Sequence, residues 1–175
     1  RLDLEYTRIT APVTGRISRA EVTVGNIVAA GLAAGAAILI DYGHPRREYY
    51  HASRTRGTFL CHYRHRAHDD ALVWPGLQDL TAHVDFTAVA DAALAAGFEL
   101  AGYCAQAWFL FGCGLEALLA EVDPDDLVRH VEAVRQTKLL TLPGEMGERF
   151  KAIGLTKGLA GGIAAFGLRD ERGRL

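Results

Sequence analysis

Between Gln78 and Asp85 the chain carries five polar side chains within eight residues: Gln78, Asp79, Thr81, His83 and Asp85. A carboxylate and an imidazole this close together can orient an amine or a guanidinium and remove its proton, which is the work of a general base. The ordinary alternative is structural. Asp85 stands where a helix N-cap belongs, and Asp79 or Thr81 can tie down a loop through the backbone. Capping is the expectation for Asp85, while for Asp79 and His83 both readings stand. A second polar knot, Asp41-Tyr42-Gly43-His44, ends the apolar run Ala36 to Ile40. Polar residues at the carboxyl end of a strand lie where open α/β sheets place their ligands. A plain turn would instead use Asp41 as an acceptor for backbone N–H groups and Gly43 for a positive φ.

His62, His65 and His68 form an HxxHxxH pattern followed by Asp69 and Asp70, a donor set that could hold a divalent cation. On one helix the three rings would fan over more than about 100°, and in a strand His65 would face away from the other two. Arg64 and Arg66 would repel the ion. The expectation is a solvated or substrate-facing basic loop, with no metal. Tyr49, Tyr50 and Tyr63 could stack on a substrate, and half-buried packing explains them equally well. The three cysteines, Cys61, Cys104 and Cys113, cannot all pair, form no CxxC and have no neighbouring motif that would lower a thiol pKa. Reduced, inert thiols follow.

The elements that must position these groups alternate between strand and helix. Short β stretches with Gly turns run from Arg8 to Val24. Ala36 to Ile40, an unbroken apolar run, reads as a strand covered on both faces, as in a parallel α/β sheet. His44 to Ala82 has little periodicity and reads as a long functional or mobile loop. Asp85 then caps a helix carrying Phe86, Val89, Ala90, Ala93 and Leu94 on one face, closed by Gly97. Phe98 to Tyr103 is a strand, and Gln106 to Ala120 is a helix weakened by Gly112 and Gly114. Asp123-Pro124 opens another helix, with Leu127, Val128, Val131 and Val134 as its buried stripe. Gly144 to Arg149 makes a short turn and Phe150 to Thr156 the last strand. Such alternation favours an α/β sheet over an all-helical fold.

Composition sets the outer bounds. The 175 residues, half of them apolar and 23% charged, suit one well-buried domain. A formal charge of −2 argues against whole-surface attraction to nucleic acid. The longest apolar run, Ile27 to Ile40, is too short for a membrane-spanning helix, and no signal peptide is visible.

Four segments, AAILIDYGHPRREYYH, RGTFLCHYRHRAHDD, PGLQDLTAHVDFTAVADAA and LPGEMGERFKAIGLT, occur in order between Gly35 and Leu175. Together they resemble the C-terminal half of MidA-type S-adenosylmethionine-dependent methyltransferases, a family that includes mitochondrial complex I assembly methyltransferases. The resemblance implies a Rossmann-like class I fold with an inserted region, in which Ile38 to Tyr42 is the fifth strand, Phe98 to Tyr103 the sixth and Phe150 to Thr156 the last. It implies S-adenosyl-L-methionine as cofactor and a protein substrate, an arginine side chain in the mitochondrial case. Asp41, Asp79, His83 and Asp85 become the candidate catalytic residues on the substrate side. No nucleic-acid or membrane partner and no metal is implied.

The expected Gly-rich cofactor loop is not found. No GxGxG precedes Ile38, and Gly31 to Gly35 (GLAAG) leads into a strand rather than linking strand to helix. The expectation is therefore a partial fold lacking its N-terminal cofactor-binding half, truncated or fused, poor at binding the cofactor and inactive by itself. An exposed sheet edge would stand where the missing strands belong, open to a partner chain. In their place LDLEYTRITAPVTGRISRAEVTVGNIVAAG, Leu2 to Gly31, resembles the barrel-sandwich segment of HlyD-type periplasmic adaptor subunits of efflux pumps. The expected division is thus a β segment over residues 1–31 and a methyltransferase-like half-domain over 35–175. A cytoplasmic location goes with the second resemblance's rival, the methyltransferase. A periplasmic adaptor without catalysis is the alternative function, and a misassembled chain with no function of its own a third.

Overall fold

A computed structural model describes residues 33–175. The β stretches expected between Arg8 and Val24, and the whole adaptor-like segment, lie outside the described residues. Strand β1 (Gly35–His44) leads into a one-turn helix α1 (Arg46–Tyr49). Three short strands follow, β2 (Leu60–Tyr63), β3 (Arg66–His68) and β4 (Asp79–Thr81), and then the two-residue β5 (Val84–Asp85). Next come helix α2 (Phe86–Ala95), strand β6 (Glu99–Ala105) and helices α3 (Gln106–Gly112), α4 (Leu115–Ala120), α5 (Leu127–Thr141) and α6 (Met146–Arg149). The last strand is β7 (Phe150–Lys157), with single 3-10 turns at Ala164–Phe166 and Arg172–Arg174.

The main sheet has the order β5-β1-β7-β6. Strand β7 runs antiparallel to both neighbours, pairing Gly35 with Lys157 through Tyr42 with Phe150 on one side and Glu99 with Thr156 through Ala105 with Lys151 on the other. Strands β1 and β6 are consequently parallel to each other, and β5 pairs in parallel with the end of β1 through Gly43–Val84 and His44–Asp85. The sheet is therefore mixed, with the antiparallel last strand inserted between the two parallel ones.

Two apolar layers sandwich β6 and β7. On one face Phe86, Ala90, Ala93, Phe98, Tyr103, Ile153 and Leu155 form a core under α2. On the other, Cys104, Phe109, Ala152, Ala165 and Phe166 pack beneath α3 and the first 3-10 turn. Alternate residues of β7 feed the two layers, as a pleated strand requires. Helix α2 begins as expected: Ala88 N–H donates to the Asp85 carboxylate at 3.1 Å. It ends with Phe98 N–H donating to Ala93 O across Gly97, a Schellman-type closure.

Several expectations are corrected. Strand β1 is not covered on both faces by the described residues, since Ile38 and Ile40 are 46% and 42% exposed. Helix α3 lies over β6 and β7, while Ala37 and Leu39 alone of this run pack into the α2 layer. The helix expected over Gln106 to Ala120 is two helices, because Gly114 takes a left-handed φ of 89° and turns the chain between them. Helix α5 does not bury Leu127, Val128 and Val131. Leu127 is 67% and Val128 83% exposed, and the side turned toward α3 and α6 carries Ala133, Thr137, Leu140 and Thr141 instead. The stretch His44 to Ala82 is not structureless, because β2 pairs antiparallel with both β3 and β4 in a separate small sheet.

Each edge of the main sheet meets a different fate. Beyond β6 the C-terminal segment supplies hydrogen bonds: Tyr103 N–H donates to Asp170 Oδ1 (3.2 Å), Glu171 N–H to Tyr103 O (2.6 Å), and the Arg172 guanidinium to Leu100 O. That closes the edge against further pairing. Beyond β1, by contrast, only Gly43 and His44 have a partner strand among the described residues.

Candidate functional site

A cavity of about 470 Å³ opens where the carboxyl end of β1 faces the small sheet. Its walls are Tyr42, Thr58, Leu60, His62, Asp79, Leu80, Thr81 and His83. The strand pairing explains the cluster. β2 and β4 align His62 with Asp79 and Leu60 with Thr81. The chain then passes through His83 into β5, whose pairing with Gly43 and His44 brings His83 beside Tyr42. The His83 ring sits edge-on to Tyr42 at 5.6 Å and tilted against His44 at 5.0 Å between ring centroids. Tyr42 is held from behind by Phe150 at 5.5 Å. The backbone N–H of His83 donates to Thr58 Oγ1 at 3.2 Å. Its ring Nδ1 and the Thr81 hydroxyl are buried and make no hydrogen bond with the described protein groups. Buried polar atoms in folded proteins are nearly always paired, so these two are ready partners for a ligand.

Burial pushes the His83 pKa down, the Arg54 charge pushes it further the same way, and Asp41 works against both. Burial and Arg54 likewise depress His44, with His83 adding to the effect and Glu48 opposing it. Both rings are therefore neutral near pH 7, and a neutral imidazole can accept a proton.

The four candidate residues do not share one role in this geometry. Asp79 and His83 line the cavity. Asp41 lies close enough to His83 to influence its charge, while its carboxylate accepts the Tyr42 N–H at 2.7 Å. Asp85 sits outside the cavity wall, capping α2 and receiving the Arg46 guanidinium at 3.4 Å. The HxxHxxH pattern is dispersed. His62 lines the cavity, His65 occupies the tip of the β2–β3 turn with φ 64°, and His68 packs edge-on against Trp74 at 5.4 Å. Asp69 pairs with Arg56, and Asp70 accepts from Leu72 N–H. Among the described residues no group of three or more His, Cys, Asp or Glu could hold a metal ion. Cys61 and Cys104 are buried, and burial pushes the Cys104 thiol up to about 12. Sequence reasoning missed Arg54 and Thr58. Neither belongs to a motif, and only the folding of the loop after α1 brings them to His83.

A mixed sheet whose antiparallel last strand lies between two parallel ones, with a polar cavity at their carboxyl end, is a class I methyltransferase-like α/β fold. Residues 16–104, half of the chain, match the family described as putative S-adenosyl-L-methionine-dependent methyltransferase, and the chain belongs to that family. It is 35% identical over 127 residues to the Drosophila melanogaster protein arginine methyltransferase NDUFAF7 homolog, mitochondrial, covering 71% of this chain and 27% of that protein. It is 36% identical over 123 residues to the Danio rerio protein arginine methyltransferase NDUFAF7, mitochondrial, covering 67% and 26%. A native crystal structure from Burkholderia thailandensis superposes with a TM-score of 0.85 at 47% identity, over 90% of this chain and 42% of that one. A second structure from the same organism, bound to S-adenosyl-homocysteine, gives 0.84 at 47% identity, over 87% and 39%. The chain thus spans about a quarter of the length of the curated relatives it matches. The MidA-type resemblance holds, and the efflux-adaptor alternative finds no support in these relatives. The family match begins at residue 16, inside the stretch that resembles an adaptor.

The described residues do not fit the cofactor itself. Strand β1 passes through His44 and Pro45 into a helix of four residues, with no Gly-rich loop to bring backbone N–H groups to a ligand. The cavity offers imidazoles, hydroxyls and one carboxylate instead, which suit an acceptor group.

Proposed function

We propose that this chain forms the acceptor side of a methyltransferase cleft that binds a protein side chain, a guanidinium in keeping with the arginine methyltransferase relatives. One observation carries the reading: Asp79 and His83 line the same cavity at the carboxyl end of β1, and the buried His83 Nδ1 has no hydrogen-bond partner among the described residues. Asp79 supplies a carboxylate that can hold a guanidinium by charge-assisted hydrogen bonds. His83 supplies an acceptor for the proton that leaves the nitrogen, and Tyr42 offers a ring face for planar stacking. Leu60 and Leu80 line the cavity mouth and are exposed, so they can contact the flanking peptide.

Calorimetry with an arginine-containing peptide and its lysine and citrulline counterparts tests this. The chain should bind the arginine peptide best, and Asp79→Asn should weaken it roughly 10-fold or more, the worth of a lost charge-assisted pair. Equal binding of the citrulline peptide, or an unaffected Asp79→Asn variant, would remove the basis of the assignment. Titration of S-adenosylmethionine into the same chain should give no saturable heat, alone, and saturable binding once a separately produced front half of a family member is added.

A further inference from the structure

The arrangement around His44 has no part in that reading, yet it brings a cation close to His83. Arg54 is clamped at two points: its Nε donates to the Glu48 carbonyl at 3.0 Å, and its Nη2 meets His44 Nε2 at 3.0 Å. A guanidinium can only donate, so His44 Nε2 must be the acceptor and its proton must sit on Nδ1. The Glu48 carboxylate lies 3.6 Å from His44 Nδ1, an electrostatic neighbour of that proton beyond hydrogen-bond distance. Glu48 is itself held by Arg174 at 2.5 Å, which ties the pair to the C-terminal segment. The His44 ring lies 5.0 Å from that of His83.

We propose that His44 is a positioning residue: its Nε2 docks the Arg54 guanidinium beside the His83 ring at the wall of the cavity. The proposal rests on the acceptor-side reading for its purpose, though its geometry stands without it. The groups facing His83 come from several elements. Asp41, Tyr42 and His44 belong to β1, Arg54 to the loop after α1, His62 to β2 and Asp79 to β4. Lys151 of β7 and Glu48 of α1 also act on His44, in opposite senses. Arg54 is the cation in this set whose charge reaches both imidazoles, and it opposes the nearby carboxylate of Asp41. Without the His44 acceptor, the Glu48 carbonyl alone among the described residues would hold the guanidinium. It would be free to swing toward solvent or toward Asp41.

Nitrogen-15 NMR of the imidazoles in the full chain reads this directly, whether or not the chain transfers a methyl group. In the parent protein His44 should show a protonated Nδ1 and a bare Nε2. His44→Gln keeps an acceptor for Arg54 and should leave the His83 titration midpoint low. His44→Leu removes the acceptor, and the midpoint should rise. Arg54→Gln should raise the midpoints of both histidines, whereas Arg54→Lys should keep His83 closer to its parent value. The same His83 midpoint in His44→Leu as in His44→Gln would overturn the proposal, as would a His44 protonated on Nε2. If His44→Leu does not fold, the tautomer and the Arg54→Gln and Arg54→Lys titrations decide it alone. Failure of arginine-peptide binding with these titrations as expected would sink the acceptor-side reading and leave this one standing. The reverse result would sink this one alone.

Discussion

Asp85 separates a structural from a chemical role more sharply than any other candidate residue. Its carboxylate accepts the Ala88 N–H at 3.1 Å and the Arg46 guanidinium at 3.4 Å, and its side chain is only 13% exposed. Replacing it with alanine removes an N-cap, worth about 1 kcal/mol. It also removes an ion pair with a half-exposed arginine, worth about 0.5–1 kcal/mol after solvent screening. Asp85→Ala should therefore lose about 1.5–2 kcal/mol, or about 3–8 °C in Tm for a chain of this size. Asparagine keeps the capping acceptor and loses only the charge, so Asp85→Asn should cost less than about 1 kcal/mol. Urea unfolding followed by far-ultraviolet circular dichroism, with equal m-values, gives both numbers. Arginine-peptide binding should be unchanged in the asparagine variant. If Asp85→Ala is as stable as the parent, or if Asp85→Asn is as damaging as alanine, the capping account is wrong. A fully stable Asp85→Asn that no longer binds the peptide would return the residue to the chemistry.

Two further outcomes follow from the core and the histidines. Gly102 and Gly154 are cross-strand partners, and a Cβ on either would overlap the Phe166 ring, which Phe109 backs at 5.2 Å. With the ring unable to retreat, Gly154→Ala should cost about 3 kcal/mol, the upper end for overpacking, and Phe166→Leu should recover part of that in a double-mutant cycle; a cost within about 0.5 kcal/mol would contradict the packing. His44 and His83 are held below the ordinary histidine value of 6.5. The unfolded chain therefore binds more protons than the folded one just below that value, so stability should be full above it and fall as pH drops through the lowered pKa values. Urea midpoints between about pH 7.5 and 5.5 should show this slope, and it should flatten when both histidines are replaced by glutamine.

Much of the scaffold is legible locally. Strands β6 and β7 fall within two residues of their expected limits at every end, because a short apolar run between glycines and helix starts has few other ways to bury itself. The Asp85 cap and the closure at Gly97 are likewise local, each satisfied by hydrogen bonds within one turn. Helix α5 shows the limit. Its spacing gives one stripe, Leu127, Val128, Val131 and Val134, whereas the structure offers a second, Ala133, Thr137, Leu140 and Thr141. Hydrophobicity selects the first, and the structure turns the second toward α3 and α6. Small side chains let those helices approach closely, and no periodicity reports the distance between them. Arg54, in the loop after α1, is illegible for a similar reason, since its partners His44 and the Glu48 carbonyl are assigned by the way the loop folds back on β1 and α1.

The sequence by itself determined the family, the α/β alternation, the end of β1 at Asp41 to His44 and the presence of Asp79 and His83 in one polar segment. Those are properties of local composition and order. Only the tertiary structure decided which of the polar groups meet. Pairing β5 with the end of β1 puts His83 against Tyr42 and His44, pairing β2 with β4 sets His62 beside Asp79, and the α2 cap takes Asp85 out of the cavity. The physical reason is that side-chain chemistry is fixed by residue type, whereas protonation and reach depend on burial and on charges that arrive from distant parts of the chain. Arg54 is the clearest case: a lone loop arginine in the sequence, and in the fold a charge that adds to burial in lowering the pKa of two imidazoles.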